Sequence, residues 1–187
     1  MKTTNFVSLL ITSRADSSYI RSLALNLPNL PVDWVMYRWH NEVGVDMFLK
    51  MLTPMHKKLL LNIPFTNLSQ IISLGEYFDG VHLKSHLKGH IAPLRAIYAD
   101  SKKLIGYSAH SIKEVMQAIE LGADYCTLSP IFATPNKSKP LGLDIFKHIP
   151  KALRCRIFAL GGIKSSHIQN LKDLGLGGFA GISCFES

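Results

Sequence analysis

Three side chains that can transfer protons or bind anions occur close together in residues 79–87, DGVHLKSHL. His82 lies within the apolar segment GVHL, and Lys84 and His86 follow it with no acidic residue among them. If GVHL is a buried strand, its end brings a lysine and a histidine to one place. Zinc binding by His82 and His86 would need a third ligand, and none lies near them in the sequence. The residues therefore favour a site for an anion or for proton transfer.

Eight short apolar segments recur along the chain, and they predict the strands that position these residues. Each segment is continuously apolar instead of alternating, as expected for parallel strands that are buried on both faces. The stretches between them have helical spacing. Ser111 and Glu114 predict a capping box at the start of one helix, and Gly122 is placed to end it. Ser166 and Gln169 predict a second capping box.

This alternation predicts an α/β fold, a (β/α)₈ TIM barrel that forms a single domain over residues 1–187. A doubly wound open sheet is the alternative, but it usually has a glycine-rich first turn, and LLITSRADSS contains no glycine. Only residues 184–187 follow the last predicted strand, so we expect the eighth helix to be missing. An apolar patch left uncovered there would favour a homodimer, with Leu23, Leu27 and Phe185 as contributors. Closure of the neighbouring helices over the gap would instead give a monomer.

The composition limits the class of ligand. The net charge is +8, from 21 lysines and arginines against 13 acidic residues. These basic residues are dispersed and not concentrated in a block, which argues against a nucleic acid as partner. No apolar run is long enough to span a bilayer, and the N-terminus lacks the pattern of a signal peptide. We therefore expect a cytoplasmic protein with no membrane partner and a small anionic substrate.

The chemistry of a TIM barrel lies at the carboxyl ends of its strands, so the residues that follow each predicted strand are candidates for the site. Acidic residues are scarce there, whereas basic and polar residues are frequent, which again favours an anionic substrate. The candidates for catalysis are Arg38, Ser108 and His110. The candidates for binding the substrate or its phosphate are His40, Asn62, Lys84, His86, Thr134, Asn136, Lys137, Gly161, Gly162, Ile182 and Ser183.

Two groups among these candidates indicate particular roles. Gly161, Gly162 and Ser183 follow the last two strands, where backbone N–H groups often form a phosphate-binding cup. The alternative for them is an ordinary turn and a polar strand end. His110 follows the fifth strand, and an imidazole there can either transfer protons or simply bond to the backbone.

Five segments, GVHL, IGYSAHS, ELGADYCTLSPIFATPNKSKPLGL, FALGGI and GFAGIS, resemble the thiamine phosphate synthase/TenI superfamily. The resemblance runs in order from about the second strand to the eighth, and it implies a (β/α)₈ barrel with a thiazole phosphate as the small phosphorylated substrate. By position, Arg38 resembles the arginine of the strand-two motif, and Ser108 resembles the serine after strand five. The residues that match the polar loop after strand six and the phosphate cup are Thr134, Asn136, Lys137, Gly161, Gly162, Ile182 and Ser183.

Several positions depart from the synthase pattern of that superfamily. Thiamine phosphate synthases couple a pyrimidine diphosphate to the thiazole phosphate, and Mg²⁺ holds the diphosphate. Ile63 and Leu87 stand here where the resemblance places their metal carboxylates, His40 replaces the lysine that binds diphosphate, and Met36 replaces a glutamine. Mg²⁺ requires hard oxygen ligands. The resemblance therefore implies no metal site and no cofactor, with Mg²⁺ needed only if the chain is a synthase.

The TenI branch of the superfamily lacks the metal carboxylates and keeps the histidine after strand five, so the resemblance favours a metal-independent thiazole tautomerase. His110 would remove a proton from the ring carbon that bears the carboxylate and return a proton to the exocyclic carbon. Arg38 would bind the carboxylate. A thiamine phosphate synthase with an altered metal site is the alternative, and a non-catalytic protein that binds thiazole or thiamine phosphate is a third hypothesis.

Overall fold

The computed structural model describes residues 6–135 and 137–185, which form a closed barrel of eight parallel strands. Consecutive strands are hydrogen-bonded neighbours, and the last strand pairs with the first. The prediction of a TIM barrel is confirmed. The strands are β1 (Val7–Ile11), β2 (Trp34–Arg38), β3 (Lys58–Asn62), β4 (Gly80–Leu83), β5 (Leu104–Ala109), β6 (Tyr125–Leu128), β7 (Ile157–Leu160) and β8 (Gly178–Gly181).

Seven α-helices within the described residues alternate with the strands and cover the outside of the barrel. None of them is both long and apolar enough to cross a membrane. Short 3₁₀ turns extend several of the connections, for example Ser85–His90 after β4 and Leu143–His148 before the sixth helix. The helices are α1 (Ser17–Asn26), α2 (Val45–Leu52), α3 (Leu68–Gly75), α4 (Ile91–Ile97), α5 (Ile112–Glu120), α6 (Lys151–Arg154) and α7 (Ile168–Asp173).

The strands are apolar on both faces because each face meets a different core. Inside the barrel, Leu60, Tyr125 and Phe158 belong to a compact apolar cluster. The ring of Trp34 packs edge-on against Tyr125, with 5.5 Å between the ring centroids. The outward-facing residues of the strands pack against the helices in a second, larger cluster. This double burial explains the continuous apolar segments of the sequence.

Three aspartates secure the amino ends of the strands. The aspartates directly precede β2, β4 and β6. Each carboxylate accepts a hydrogen bond from a backbone N–H near the start of the neighbouring odd-numbered strand, which is β1, β3 or β5. These carboxylates therefore satisfy backbone donors at the end of the barrel opposite to the strand carboxyl ends. The pairs are Asp33 with Ser8 at 2.8 Å, Asp79 with Leu59 at 2.7 Å and Asp124 with Ile105 at 2.7 Å.

The capping box predicted at α5 is present in a modified form. The hydroxyl of Ser111 accepts a hydrogen bond from the N–H of Glu114 at 3.2 Å, as predicted. The carboxylate of Glu114 accepts from the N–H of His110 at 2.7 Å, one residue earlier than the usual partner. Gly122 adopts a φ of 104° after the helix, which confirms it as the residue that ends α5.

The second predicted capping box, between Ser166 and Gln169, is wrong. A 3₁₀ turn over Ser165–His167 leads into α7, so Ser166 lies inside a turn and does not precede the first helical residue. The side-chain amide of Gln169 instead donates to Asp173 at 2.8 Å along the helix. The sequence pattern was correct for the helix and wrong for its first turn.

The residues after β8 bear on the predicted dimer contact. Residues 182–185 contain no helix, and the ring of Phe185 stacks on Phe179 with 5.5 Å between centroids. Leu23, Leu27 and Phe185 are all buried within the chain itself. The expectation that these three residues form an exposed apolar patch is therefore wrong, because all three pack into the large core cluster of the chain itself. The homodimer stays a prediction without that support.

Replacing Asp79 with alanine should destabilise the barrel, because the N–H of Leu59 would lose a charged acceptor. We expect the free energy of unfolding, measured by urea titration, to fall by about 1–3 kcal/mol. Asp79→Asn retains an oxygen acceptor and should cost less. Asp100→Ala is the matched control, since this exposed aspartate makes no hydrogen bond to a described residue. Equal losses in Asp79→Ala and Asp100→Ala would contradict the role assigned to Asp79.

Candidate active site

A cavity of about 450 Å³ opens at the carboxyl ends of the strands, and all eight strands contribute residues to its wall. Its size suits a small-molecule ligand. Most of the candidates predicted from the sequence meet there, whereas Asn136 lies outside the described residues. The predicted candidates that line the cavity are Arg38, Asn62, Lys84, His86, Ser108, His110, Thr134, Lys137, Gly161, Gly162, Ile182 and Ser183.

His40 is not brought to the cavity, which corrects its prediction as a binding residue. β2 ends at Arg38, and His40 follows two residues later. The imidazole of His40 is exposed and lies against the ring of Trp39, with 4.5 Å between the ring centroids. The contact with Trp39 keeps the imidazole of His40 outside the cavity.

The inner wall of the cavity is apolar. Ile11, Met36, Leu160 and Ala180 contribute it from four different strands, and each belongs to the interior barrel cluster or packs against it. A flat ring can therefore lie over hydrocarbon while its substituents reach the polar groups at the strand ends.

The turn after β7 leaves backbone donors open to an anion. Gly161 and Gly162 have φ values of 97° and 65°, in the left-handed region that favours glycine. A Cβ on Gly162 would lie 2.7 Å from the carbonyl oxygen of Ala133, so a side chain has no room there. The N–H groups of Gly162 and Ser183 donate to no described residue. This arrangement, which we call the glycine cup, has the features of a phosphate-binding turn.

A hydrogen bond and a ring contact hold the loop after β6 beside the glycine cup. The N–H of Phe132 donates to the carbonyl of Gly161 at 3.0 Å, and the Phe132 ring stacks on His167 with 3.8 Å between centroids. These contacts place the hydroxyl of Thr134 next to Gly161, 3.4 Å from where a Cβ would stand. Lys137 lines the cavity from the same loop and adds a positive charge on this side.

His82 is buried at the base of the cavity, and both ring nitrogens have partners. Nδ1 lies 3.0 Å from the hydroxyl of Tyr125, and Nε2 lies 2.9 Å from the hydroxyl of Ser108. The hydroxyl of Thr127 is farther from Nε2, at 3.4 Å. Gly106 makes room for this group, because a Cβ on it would stand 2.5 Å from Nδ1. An alanine at position 106 would therefore collide with the imidazole.

The tautomer of His82 follows from the tyrosine. Burial raises the pKa of Tyr125 well above its usual value, so the phenol keeps its proton. Its hydroxyl has no other acceptor among the described residues, so it donates to Nδ1. The ring proton of His82 is then on Nε2 and is donated to Ser108. Burial, and next the charge of Arg38, lower the pKa of His82 to about 3, so the ring is neutral near pH 7.

Ser108 is consequently a fixed hydrogen-bond donor. Its oxygen accepts from His82, which leaves its own hydrogen free to point into the cavity. The hydroxyl of Ser108 could therefore donate a hydrogen bond to a ligand atom without first having to reorient.

His110 has a tautomer that suits proton abstraction. Its Nδ1 lies 3.0 Å from the carbonyl oxygen of Ser129, and a carbonyl can only accept, so Nδ1 carries the proton. In the neutral ring, Nε2 therefore has a lone pair, and the ring lines the cavity mouth. The sequence left open whether His110 bonds to the backbone or transfers protons, and the two are compatible because they use different nitrogens.

A family model described as "Thiamine monophosphate synthase" matches residues 72–185, a segment that contains β4 to β8, His82, Ser108 and the glycine cup. The chain belongs to this family. The resemblance found in the sequence is confirmed at the level of the family.

Proteins named thiamine-phosphate synthase are similar to the chain over long segments. Putative thiamine-phosphate synthase 2 of Aquifex aeolicus is 34% identical over 155 residues, which cover 82% of this chain and 76% of the relative. Thiamine-phosphate synthase of Chloroflexus aurantiacus is 35% identical over 60% of this chain and 52% of its own length. The putative thiamine-phosphate synthase of Geobacter sulfurreducens is 36% identical over 60% of this chain and 53% of its own length. The chain thus spans about half the length of the last two relatives.

These names bear on the predicted branch of the thiamine monophosphate synthase family. They favour the synthase alternative over the tautomerase that the sequence analysis put first, and they give no support to the TenI branch in particular.

Solved structures support the fold. Thiamine phosphate pyrophosphorylase from Pyrococcus furiosus superposes with a TM-score of 0.70 at 19% identity, covering 95% of this chain and 85% of that chain. The N-acetylmannosamine-6-phosphate 2-epimerase from Clostridium perfringens superposes with a TM-score of 0.72 at 11% identity, covering 96% of this chain and 87% of that chain. At such identities the likeness concerns the barrel alone.

The residues at the cavity do not fit the Mg²⁺ that the synthase pattern implies. Ile63 and Leu87 are 1% and 6% exposed and pack in the outer core. No aspartate or glutamate is among the described residues that line the cavity, and these residues contain no cluster of three metal-binding side chains. Asn62 offers one buried amide oxygen that has no partner in the described part of the chain. One neutral oxygen with a few hydroxyls is not the ligand set that Mg²⁺ prefers.

Tyr125 and Thr127 were missed by the sequence analysis, although they shape the base of the cavity. Side chains alternate between the two faces of a strand, so every second residue of β6 points towards the barrel interior. This alternation is the feature of the sequence that could have identified Tyr125 and Thr127. Both belong to a continuous apolar segment, and a segment apolar on both faces gives no indication of which residues point inwards.

Acid should destabilise the protein through His82. An unfolded histidine binds a proton below about pH 6.5, whereas the folded ring, with its pKa lowered to about 3, does not. The stabilising effect of the neutral ring is therefore complete above pH 6.5 and is lost as the pH falls from 6.5 towards 3. We expect His82 to account for a loss of about 2 kcal/mol between pH 7 and pH 5.

Urea titrations of three proteins at both pH values measure this contribution. His82→Gln should be less stable at pH 7, but it should show a pH dependence smaller by about 2 kcal/mol. His148→Gln, which removes an exposed histidine, should retain the dependence of the wild type. The same dependence in all three proteins would show that His82 takes up its proton in the folded state.

The glycine cup predicts that inorganic phosphate stabilises the protein. At ten times its Kd, phosphate should raise the Tm by about 3–6 °C through mass action. Gly162→Ala should abolish the shift, because the new Cβ would meet the Ala133 carbonyl. Gly175→Ala carries the same left-handed strain away from the cavity, with φ at 77° and open space around it, and should retain the shift. A shift that survives in Gly162→Ala would place the anion elsewhere.

Proposed function

We propose that this chain is an enzyme of thiamine phosphate formation that binds a thiazole phosphate in the barrel cavity. The observation that carries the proposal is the glycine cup, whose open N–H groups adjoin an apolar wall suited to one small ring. Membership of the thiamine monophosphate synthase family supports a phosphorylated thiazole as the ligand.

Coupling is the reaction that the names of the relatives favour. The thiazole nitrogen would attack the methylene carbon of the pyrimidine diphosphate, so that a carbon–nitrogen bond forms. The bond from that carbon to the diphosphate oxygen would break, and diphosphate would leave with the bonding pair of electrons. The glycine cup would hold the thiazole phosphate, and the apolar wall would align the two rings for attack. No proton is transferred in this step.

Tautomerisation of a thiazole phosphate carboxylate is the second candidate, and the orientation of His110 favours it. The lone pair on Nε2 at the cavity mouth is placed to accept a proton from the ring carbon that bears the carboxylate. The same nitrogen would return the proton to the exocyclic carbon, and Arg38 would bind the carboxylate. Proton transfer of this kind proceeds without a metal, which agrees with the lack of carboxylates among the described cavity residues.

Both reactions can be assayed on one preparation, each in EDTA and in Mg²⁺. Thiazole phosphate and pyrimidine diphosphate should yield thiamine phosphate and diphosphate in equal amounts, measured by chromatography. Consumption of the thiazole tautomer, measured by its absorbance, without any coupling would replace the synthase with the tautomerase. A ligand-induced rise in Tm with neither reaction would make the protein a non-catalytic binder and would overturn the proposal.

His110→Ala separates the two reactions, because only tautomerisation needs a proton acceptor. A tautomerase should lose at least about 100-fold in kcat, whereas coupling should change little. His148→Ala removes an exposed histidine outside the cavity and is the control for both assays. A large loss of coupling in His110→Ala would contradict the mechanism given for that reaction.

A further inference from the structure

Two cations at the cavity have no counter-charge among the residues that the structure describes. Arg38 ends β2 and Lys84 follows β4, and both line the cavity. Neither side chain makes a hydrogen bond or an ion pair with any described residue, and the three ion pairs found among those residues all lie elsewhere. Surface cations are often unpaired, but these two face a concave wall that contains no described carboxylate.

The positive charges of Arg38 and Lys84 also repel each other. Partial burial, and next the charge of Arg38, lower the pKa of Lys84. Arg38 is likewise the charge that acts on buried His82, at the base of the same cavity. A positive charge is therefore concentrated on this side of the cavity at a cost in free energy, and an anion between the two side chains would remove that cost.

Strand order places this pair across the barrel from the glycine cup. β2, β3 and β4 are consecutive neighbours, and the cup follows β7 and β8, so β3 stands four strands away from β7 in the closed ring. Asn62 ends β3, in register with Arg38 of β2, and its buried Oδ1 has no partner among the described residues. The glycine cup and the Arg38–Lys84 pair thus lie on opposite sides of the cavity, and we call them its two poles. Polar residues of β5 and β6, such as Ser108 and Thr127, line the cavity between β4 and β7.

We propose that Arg38 and Lys84 form a second anion subsite, which holds the diphosphate group of the pyrimidine substrate by direct contact with the protein and without a bridging metal ion. The assignment of the ligand rests on the proposed coupling reaction. Arginine supplies planar paired donors for phosphate oxygens, and lysine supplies a point charge. Together they would neutralise charge that develops on the leaving diphosphate, as a divalent cation does in sites that catalyse phosphate transfer.

Titration calorimetry with inorganic diphosphate in EDTA tests the subsite directly. The titrations use Gly162→Ala as the background, so that the glycine cup does not contribute. Diphosphate should bind, and addition of Mg²⁺ should not tighten binding. Lys84→Met and Arg38→Met should each weaken binding by about tenfold or more, whereas Lys84→Arg should retain most of the affinity. Lys113→Met, which removes an exposed lysine of α5, is the matched control.

Stability provides a second measurement that does not depend on binding. Because the two cations repel each other, the ligand-free Lys84→Met variant should have a Tm no lower than that of the wild type, which also shows that it folds. Binding of diphosphate only in the presence of Mg²⁺, or unchanged affinity in Lys84→Met, would overturn the subsite.

The two proposals fail in different ways. If thiamine phosphate is formed and Lys84→Met has no effect on diphosphate affinity, the function stands and the subsite falls. If diphosphate binds in EDTA through Arg38 and Lys84 but no thiamine phosphate is formed, the subsite stands as an anion site and the coupling function falls.

Discussion

The use of aspartates at the amino ends of the strands is the constraint on which the site depends. Asp33, Asp79 and Asp124 are held at the amino ends of the strands, where their carboxylates accept backbone N–H groups. Acids used in this way are unavailable to neutralise the lysines and arginines at the other end. A cavity whose described residues include no carboxylate is then left with Arg38 and Lys84 facing solvent, and anionic ligands are the natural partners of such a surface.

The interior of the barrel shows how a polar group can be kept in an apolar core. His82 occupies the space that the missing side chain of Gly106 leaves, and it is tolerated because both of its nitrogens are hydrogen-bonded. The direction of those hydrogen bonds links the core to the cavity, because each donor determines the orientation of the next group. A protonated phenol below fixes the tautomer of the imidazole, and the imidazole fixes which way the hydroxyl of Ser108 points. A phenylalanine in place of Tyr125 would fill the core equally well and would lose that control.

Much of the fold was accessible from the sequence, because eight continuously apolar segments separated by helical spacing have few compatible arrangements. The rule that barrel chemistry lies at strand carboxyl ends then found most of the cavity. It failed for His40, whose ring lies against Trp39 and does not line the cavity, although Gly162 and Ser183 do so at the same distance from their strand ends. Tyr125 was inaccessible for a different reason: its partnership with His82 joins residues 43 positions apart and depends on side-chain direction within two buried strands. The Ser166 capping box failed because a 3₁₀ turn and a first α-helical turn share the same sequence signals.

The match to the thiamine monophosphate synthase family is distributed unevenly over the two poles of the cavity. The segment that the family model matches, residues 72–185, carries the glycine cup, Ser108 and the buried His82. Arg38, Asn62 and Ile63 lie before that segment, on β2 and β3 or directly after them. The glycine cup therefore lies in the part of the chain that the family model matches, whereas Arg38 and Asn62 of the opposite pole lie outside it and Lys84 lies within it. If the proposed coupling reaction is correct, the residues of β2 and β3 that face the second substrate group lie where this chain has no match to the family model, and the pole at the glycine cup lies where it has one.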